Sequence, residues 1–481
     1  MSRAPLNLIA GEPAAPTASI GVAEDPNTGT PVGPMLGSEP ADVERALAEA
    51  WRAWGHGAGP VSALGVPGRV ALLRRFAEQL DARAEPLARA HASEVGVPIA
   101  TARIFAAGLA GVVEDVAAAA PAALATRALA NGARRVDVHW LPWGPAALYA
   151  PWNAPAFAAT TKLATAVAAG CPAVLKPSEH TPLTARLLVD ALLDAELDPA
   201  VVQVVCGGVD VGARLARDTR VRMISYTGGT AGGRAVAAAA IERMTPMQLE
   251  LSASNPAVIL PGADLEHAAR ELARGCLVLN GQWCEAPRRV YVERRDHDRL
   301  ASMLADELGR STLGPSLEES TDVGPLAHRA QFEAVEREVE RLAAMGDAVA
   351  AHATLPDRGF FLSPTVIGGL AADAVRSEVF GPVLALSPYA EVEDAIAAAN
   401  GLDDGLAAYV FGRDRDAAHA VGRRLHAGEV RVGGCRVLDL APGSVQAFWG
   451  TSGLGGHGRT ATIQAHAGAR IVGDEDEALP L

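Results

Sequence analysis

The chain is read as an α/β protein of two domains or more, on three observations. Its 481 residues exceed what a single hydrophobic core usually serves. From Ala147, apolar runs of four or five residues ("ALYAP", "PAVLKP", "VVQVV", "VRMISY", "MQLEL") alternate with helix-length segments. That is the pattern of βαβ units around a buried parallel sheet, and it makes this stretch a candidate nucleotide-binding architecture. After Pro256 the alternation resumes with "AVIL", a helical stretch, "RRVYVE" and a long helix from Asp296 to Gly309, which implies a second α/β domain.

The elements before and after these units are read in the same way. After a polar, Pro/Gly-rich start, Pro40 to Trp54 reads as an amphipathic helix with an acidic first turn. Helical spacing continues through Arg69 to Val95 and Ala102 to Ala120, and this helical opening is expected to carry no chemistry. "RRVDVHWLPWGPAALYAP" alternates like exposed strands. The last stretch, "GRTATIQAHAGARIVGDE", also alternates like a strand, and the two are expected to pair near Val136. Unpaired, the strands around Arg135 to Leu141 would leave open edges, so a homo-oligomer is expected.

Composition narrows the function. Hydrophobic residues are 49% and charged residues 20%, the balance of an ordinary globular protein. A net charge of −14 argues against nucleic acid as the main partner, because phosphate binding needs a basic face. Five cysteines without paired spacing indicate neither a disulfide framework nor a metal site. No signal peptide or uninterrupted apolar span is read, so the expected location is the cytoplasm, with no membrane partner. Only two of the 42 basic Lys+Arg residues are lysines, Lys162 and Lys176. In a chain that otherwise draws its cations as arginine, these two look chemically required, since lysine is a compact point charge and arginine a planar fork.

The chemistry centres on Leu249 to Arg289, which opens "LELSASNPAVIL" and closes "NGQWCEAPRR". Glu250 and Cys284 stand at its two ends as a carboxylate and a thiol. A thiol of ordinary acidity needs a base to become the attacking thiolate. An isolated Cys is more often a small buried hydrophobe and an isolated Glu a surface carboxylate; the surrounding motifs tip the balance. "VLKPSEHTP" sets Lys176, Ser178 and Glu179 at a strand end, where a cation and a carboxylate can hold ribose hydroxyls. "CGGVDVG" and "SYTGGTAGGRA" are Gly-rich strand-to-helix turns suited to a pyrophosphate at a helix N-terminus, although neither matches GxGxxG.

Together these residues resemble the aldehyde dehydrogenase superfamily over almost the whole chain. The resemblance implies a Rossmann-like cofactor domain at 1–124 and 142–250, a catalytic domain at 251–440, and a small β oligomerisation flap from 125–141 and 460–481. It implies Cys284 as nucleophile, Glu250 as general base, Asn153 of "PWNAP" as oxyanion donor, and Lys162 near that site. It implies NAD, with NADP as the other option, held by Trp152, Lys176, Ser178, Glu179, Gly208, Gly212, Gly228, Gly229 and Gly233, and by Glu378 and Phe380 of "SEVFGPV". Glu179 favours NAD, because a 2′-phosphate would meet its carboxylate. The implied partners are a small-molecule aldehyde and one or three further copies of the chain; no metal is expected.

Several positions depart from the family pattern. Leu251-Ser252-Ala253-Ser254 replaces the usual glycines and lysine after the base, and Gly229 stands where serine is common. Trp283 and Glu285 flank the nucleophile, and Glu285, if close, would oppose thiol ionisation. "QAFWGTSG" lacks a usual lysine. Trp152 and Trp283 hint at a flat or bulky apolar substrate group, or at packing. Two alternatives follow: a CoA-acylating enzyme, disfavoured by Glu250, and a non-catalytic binding protein on the same fold.

Overall fold

A computed structural model describes residues 4–131, 134–437 and 440–475. The parts of the expected domain and flap boundaries at 1–3, 132–133, 438–439 and 476–481 lie outside the described residues.

The apolar runs after Ala147 form the centre of an eight-stranded sheet. Its five parallel strands stand in the order Val202–Val204, Ala173–Lys176, Ala146–Tyr149, Met223–Thr227 and Met247–Glu250. The chain therefore winds outward in both directions from Ala146–Tyr149, and the strand order reverses between that strand and Met223–Thr227. In open α/β sheets the crevice at such a reversal is the ligand site. Helices Pro155–Ala169, Pro182–Asp194, Val209–Arg217 and Thr230–Ile241 make the crossovers. Ala146, Ala147, Leu148, Val174 and Ile224 are fully buried, as expected for strands covered on both faces.

The second sheet has seven strands and is parallel except at Asp347–Ala350. Val383–Tyr389, Arg289–Glu293 and Pro256–Ile259 are neighbours in it. The segments leading into these three strands contain Glu378 and Phe380, Cys284, and Leu251 to Asn255. The second sheet thus contributes its N-terminal edge to the site, whereas the first contributes the carboxyl ends of its strands.

Three expectations are corrected. The Pro/Gly-rich start contains strands, Asn7–Ile9, Glu12–Ala14, Ala18–Glu24 and Pro31–Gly37, and Leu8 pairs with Val204 to extend the first sheet. Pro and Gly at edge positions had masked them. In the C-terminal stretch Arg459–Ala465 is a helix and only Ala467–Gly473 a strand. Burying Ile463 and Thr462 against the core outweighs the local alternation. The strand Arg134–Pro142 is not an edge: it is central, between Arg127–Asn131 and Ala467–Gly473, which are the edges. Gly473 does pair with Val136, and Ile471 and Val472 remain exposed.

The helix Ile99–Ala123 is by length and apolar content able to cross a membrane. It carries Arg103, Glu114 and Asp115, and its Leu109, Val113, Val116 and Ala120 are buried in the largest core cluster.

Candidate active site

The loop bearing Cys284 is held in an uncommon conformation. Leu279, Asn280 and Gly281 all have left-handed backbone angles, φ 52°, 58° and 75°, and for a leucine that conformation is strained. Buried polar side chains hold it there. Asn280 donates to the carbonyls of Gly96 and Pro325 at 2.8 and 2.9 Å, and accepts from the Gly324 amide at 2.9 Å. Gln282 accepts from the Ala327 amide at 3.0 Å. The fully buried Arg288 donates to the carbonyls of Gly281, Trp283 and Gly381, tying the Cys284 loop to the one carrying Glu378 and Phe380. Asn255 donates to the Cys284 and Ala286 carbonyls at 2.8 and 2.9 Å. At Gly281 a Cβ would stand 2.2 Å from the Gly381 carbonyl carbon, so close packing there requires glycine.

This scaffold brings Cys284 to Glu250. The thiol donates to Glu250 Oε1 at 3.2 Å, joining the two ends of the segment singled out from sequence. Glu250 Oε2 accepts from Thr227 Oγ1 at 3.1 Å and lies 3.2 Å from His457 Nε2. Burial alone would raise the Glu250 pKa, but the charges of His457 and Lys162 and the bonds from His457 and Cys284 outweigh it and hold the carboxyl at about 2. Burial, and then the charges of Glu250 and Glu285, push the Cys284 thiol well above its ordinary range. Glu285 is therefore close enough to matter. Its own pKa is raised by burial and by Glu429, against the hydrogen bond from Gln446.

Asn153 is buried, and its side-chain amide donates to the Gln282 carbonyl at 2.8 Å. The amide carries a second N–H. Its backbone carbonyl lies 2.9 Å from His91 Nε2. Burial lowers the His91 pKa to about 4, so the neutral ring donates to that carbonyl. Lys162 Nζ donates to Ser225 Oγ at 2.8 Å, and Ser225 to Gln248 Oε1 at 2.7 Å. Burial lowers the lysine to about 8, opposed by the Glu250 charge.

The residues expected to hold a dinucleotide line the carboxyl ends of the first sheet. Lys176 Nζ and Glu179 Oε2 are 3.2 Å apart. Burial opposes ionisation of Glu179, yet the Lys176 charge beside it keeps its pKa below the ordinary value. Ser178 is buried in the same turn and accepts from the His180 amide at 3.2 Å. Gly208 caps the helix Val209–Arg217, and a Cβ on Gly212 would stand 3.4 Å from Tyr149 and 3.6 Å from Lys176. At Gly228 a Cβ would meet Tyr226 Oη at 2.7 Å, and at Gly233 it would meet Leu251 at 2.2 Å. Gly229 caps the helix Thr230–Ile241, with open space about its Cβ position. Trp152 stacks edge-on against Phe380 at 5.5 Å and His328 at 5.1 Å, and His328 stacks flat on His180 at 4.1 Å.

Glu378 departs most from an ordinary carboxyl. Burial raises its pKa to about 7, against the Arg288 charge, the Ser252 side chain and the Ala253 amide. Its Oε1 is enclosed without a partner, an acceptor ready for a hydroxyl. Ser252 and Ala253, which replace glycines of the family pattern, thus lie beside this carboxyl and favour its ionised form. Trp283 is buried in the main core, so it packs the fold; the hint of a substrate-facing indole is withdrawn.

Sequence reasoning missed four residues here. Thr227, Asn255 and Arg288 lie inside stretches read for other residues, and the contacts of these three and of His457 with Glu250, Cys284 or Gly381 form only on folding.

Comparisons with known proteins agree with this geometry. Residues 17–472 match the aldehyde dehydrogenase family. A geranial dehydrogenase of Castellaniella defragrans is 32% identical, covering 83% of this chain and 85% of that protein. A betaine aldehyde dehydrogenase of Cereibacter sphaeroides is 34% identical over 90% of this chain and 89% of its own length. Among solved structures, a mutant aldehyde dehydrogenase C of Pseudomonas syringae in complex with NAD+ and octanal superposes with a TM-score of 0.89 at 30% identity, covering 98% of this chain and 96% of that one. On sequence, fold and site geometry, the chain belongs to the aldehyde dehydrogenase family.

Proposed function

We propose that the protein is a cytoplasmic enzyme that oxidises an aldehyde to a carboxylic acid with NAD, through a Cys284 thiohemiacetal and thioester. The observation that carries this reading is the 3.2 Å contact between the Cys284 thiol and the Glu250 carboxylate, a nucleophile with its base in reach. Glu250 takes the thiol proton and Cys284 Sγ adds to the aldehyde carbon. The oxyanion that develops is met by the free N–H of the Asn153 amide and by a backbone amide of the nucleophile loop. After oxidation Glu250 takes a proton from water, whose oxygen attacks the thioester carbon; the C–S bond breaks and the acid leaves.

The residues present fit a dinucleotide. The Lys176–Glu179 pair suits the adenosine ribose, the glycine turns before Val209–Arg217 and Thr230–Ile241 suit a pyrophosphate, and the enclosed Glu378 Oε1 suits the hydroxyls of the second ribose. Bound there, NAD supplies the acceptor for the two electrons that leave the substrate carbon. Glu179, held ionised by Lys176, favours NAD over NADP. In this reading 1–124 with 142–250 is the cofactor domain and 251–440 the catalytic domain. The flap of 125–141 and 460–481 pairs subunits through its exposed edge, which explains Ile471 and Val472 at the surface.

The test is absorbance at 340 nm with purified protein, NAD or NADP, and a panel of aliphatic and aromatic aldehydes, with and without CoA. NADH formation without CoA is expected, and the C284A variant should lose it entirely. Turnover that requires CoA would assign acyl transfer instead of hydrolysis, and residual turnover in C284A would remove Cys284 from the nucleophile role.

A further inference from the structure

Glu250 sits too deep to exchange protons freely. Its side chain is 11% exposed, and both carboxylate oxygens have partners within the protein. A base that receives a proton at each turnover needs a route to return it to water. The group 3.2 Å from Oε2 is the imidazole of His457, whose side chain is 42% exposed. His457 follows the strand residue Gly456 and pairs by backbone register with Gln446, and its ring stands edge-on against Phe448 at 4.8 Å. One ring nitrogen thus meets the buried carboxylate while the ring reaches solvent.

We infer that His457 is the proton outlet of Glu250, a positioning and relay residue that acts on the reaction through the general base. This rests on the proposed role of Glu250. The steps balance as follows. In hydrolysis one O–H bond of water breaks as its oxygen bonds to the acyl carbon, and the proton goes to Glu250. The C–S bond breaks with its electrons on Cys284 Sγ, leaving a thiolate. Glu250 passes the proton to His457 Nε2, and the imidazolium releases it to solvent. The first thiol deprotonation uses the same route.

The outlet works only when His457 can accept a proton, so it has a pH dependence with a definite sign. The groups facing the ring are Glu250 on the first sheet, Glu285 on the nucleophile loop and Lys162 on the helix Pro155–Ala169. Burial and Lys162 oppose the imidazolium, but the two carboxylates outweigh them and raise its pKa above the ordinary histidine value. Transfer is therefore blocked at low pH and opens as pH rises through the raised histidine pKa. While protonated, His457 also helps hold Glu250 at about 2, where it is a weak base.

The test isolates hydrolysis. Full-length protein is acylated on Cys284 with an activated aryl ester, verified by intact mass, and decay of the acyl-enzyme is followed across pH. With the thiol acylated, its own titration is absent. Wild-type decay should rise with pH through a single titration above the ordinary histidine range. H457Q should decay about tenfold more slowly at alkaline pH, a modest share of a typical acid–base contribution, should lack that titration, and should approach wild type as pH falls. H457A should be rescued by added imidazole in proportion to its concentration. An H457Q profile that superposes on wild type, or an H457A variant that imidazole does not restore, overturns the inference. E250Q separates this from the reading beneath it. If E250Q hydrolyses normally, Glu250 is not the base; if E250Q is slow while both His457 variants retain the wild-type profile, only the relay fails.

Discussion

The two sheets contribute to one site in different ways. The first offers the carboxyl ends of regular parallel strands, and the residues proposed to hold the cofactor there, Lys176, Glu179, Gly212 and Gly228, follow directly from strand–turn–helix units. The second offers the N-terminal edges of three neighbouring strands, reached through a left-handed run at Leu279 to Gly281 and a set of buried polar anchors. The binding half is thus a product of the fold's periodicity, while the chemical half is held against its local preferences. Strain of this kind persists only where surrounding contacts over-determine it. Substitutions on the two halves should therefore fail differently, by loss of chemistry and stability on one side and by loss of affinity on the other.

The largest effect is expected where the two halves meet, since Glu250 ends a parallel strand of the first sheet and faces Cys284 of the second. Glu250→Gln keeps the shape beside Cys284 but removes the proposed base. Thiol deprotonation and thioester hydrolysis should both slow, and steady-state turnover read at 340 nm should fall by about 10²-fold or more. A full steady-state rate would mean that another base serves, and the contrast between halves would lose its chemical side. Next comes the scaffold. Asn280→Ala leaves the Gly96 and Pro325 carbonyls and the Gly324 amide without the partners they have. It should cost about 3 kcal/mol by urea unfolding, as buried orphaned groups do, and should lower turnover even where the protein remains folded. If stability fell while turnover per folded molecule held, the anchors would serve the fold alone.

The same contrast explains what was legible in the sequence. Alternating apolar runs gave the first sheet and its Gly-rich turns, since a parallel sheet buried on both faces writes itself into hydrophobicity. The pair Cys284 and Glu250 was visible by residue type and by company, and the structure brings them to 3.2 Å. Arg288, Asn255 and His457 were not visible. Each is an ordinary polar residue whose role depends on a neighbour distant along the chain, such as Gly381 for Arg288 or Glu250 for His457, and no local pattern encodes such a meeting. The early strands were hidden by Pro and Gly, and the helix Arg459–Ala465 by an alternation that burial of Ile463 overrides.

On the binding half the expected losses are of affinity. Lys176→Met removes the cation 3.2 Å from Glu179. The Glu179 pKa, held down by that charge against burial, should rise. NAD should bind about tenfold more weakly by calorimetry, the equivalent of about 1.4 kcal/mol, while the alkylation rate of Cys284 by iodoacetamide stays unchanged. A coupled loss of thiol reactivity would show that the two halves are not independent.

The smallest effect is a gain, and it sharpens the comparison most. Gly229 caps the helix Thr230–Ile241 with φ −63° and ψ 149°, an extended conformation that any residue adopts and that suits a serine cap. A Cβ there would meet nothing within 4 Å. Gly229→Ser therefore adds a cap hydroxyl without strain, worth a few tenths of a kcal/mol over glycine. It also places one more donor at a helix N-terminus, where a phosphate is favoured. NAD affinity should rise by about threefold, since a hydrogen bond made in competition with water contributes about 0.6 kcal/mol, near the lower end of the net range, and kcat should not change. Tighter binding at constant kcat would mean that the binding half accepts improvement because nothing there is strained. A fall in kcat would trace to the cofactor being drawn toward Gly229 and away from Cys284, and would tie the placement of one half to the chemistry of the other.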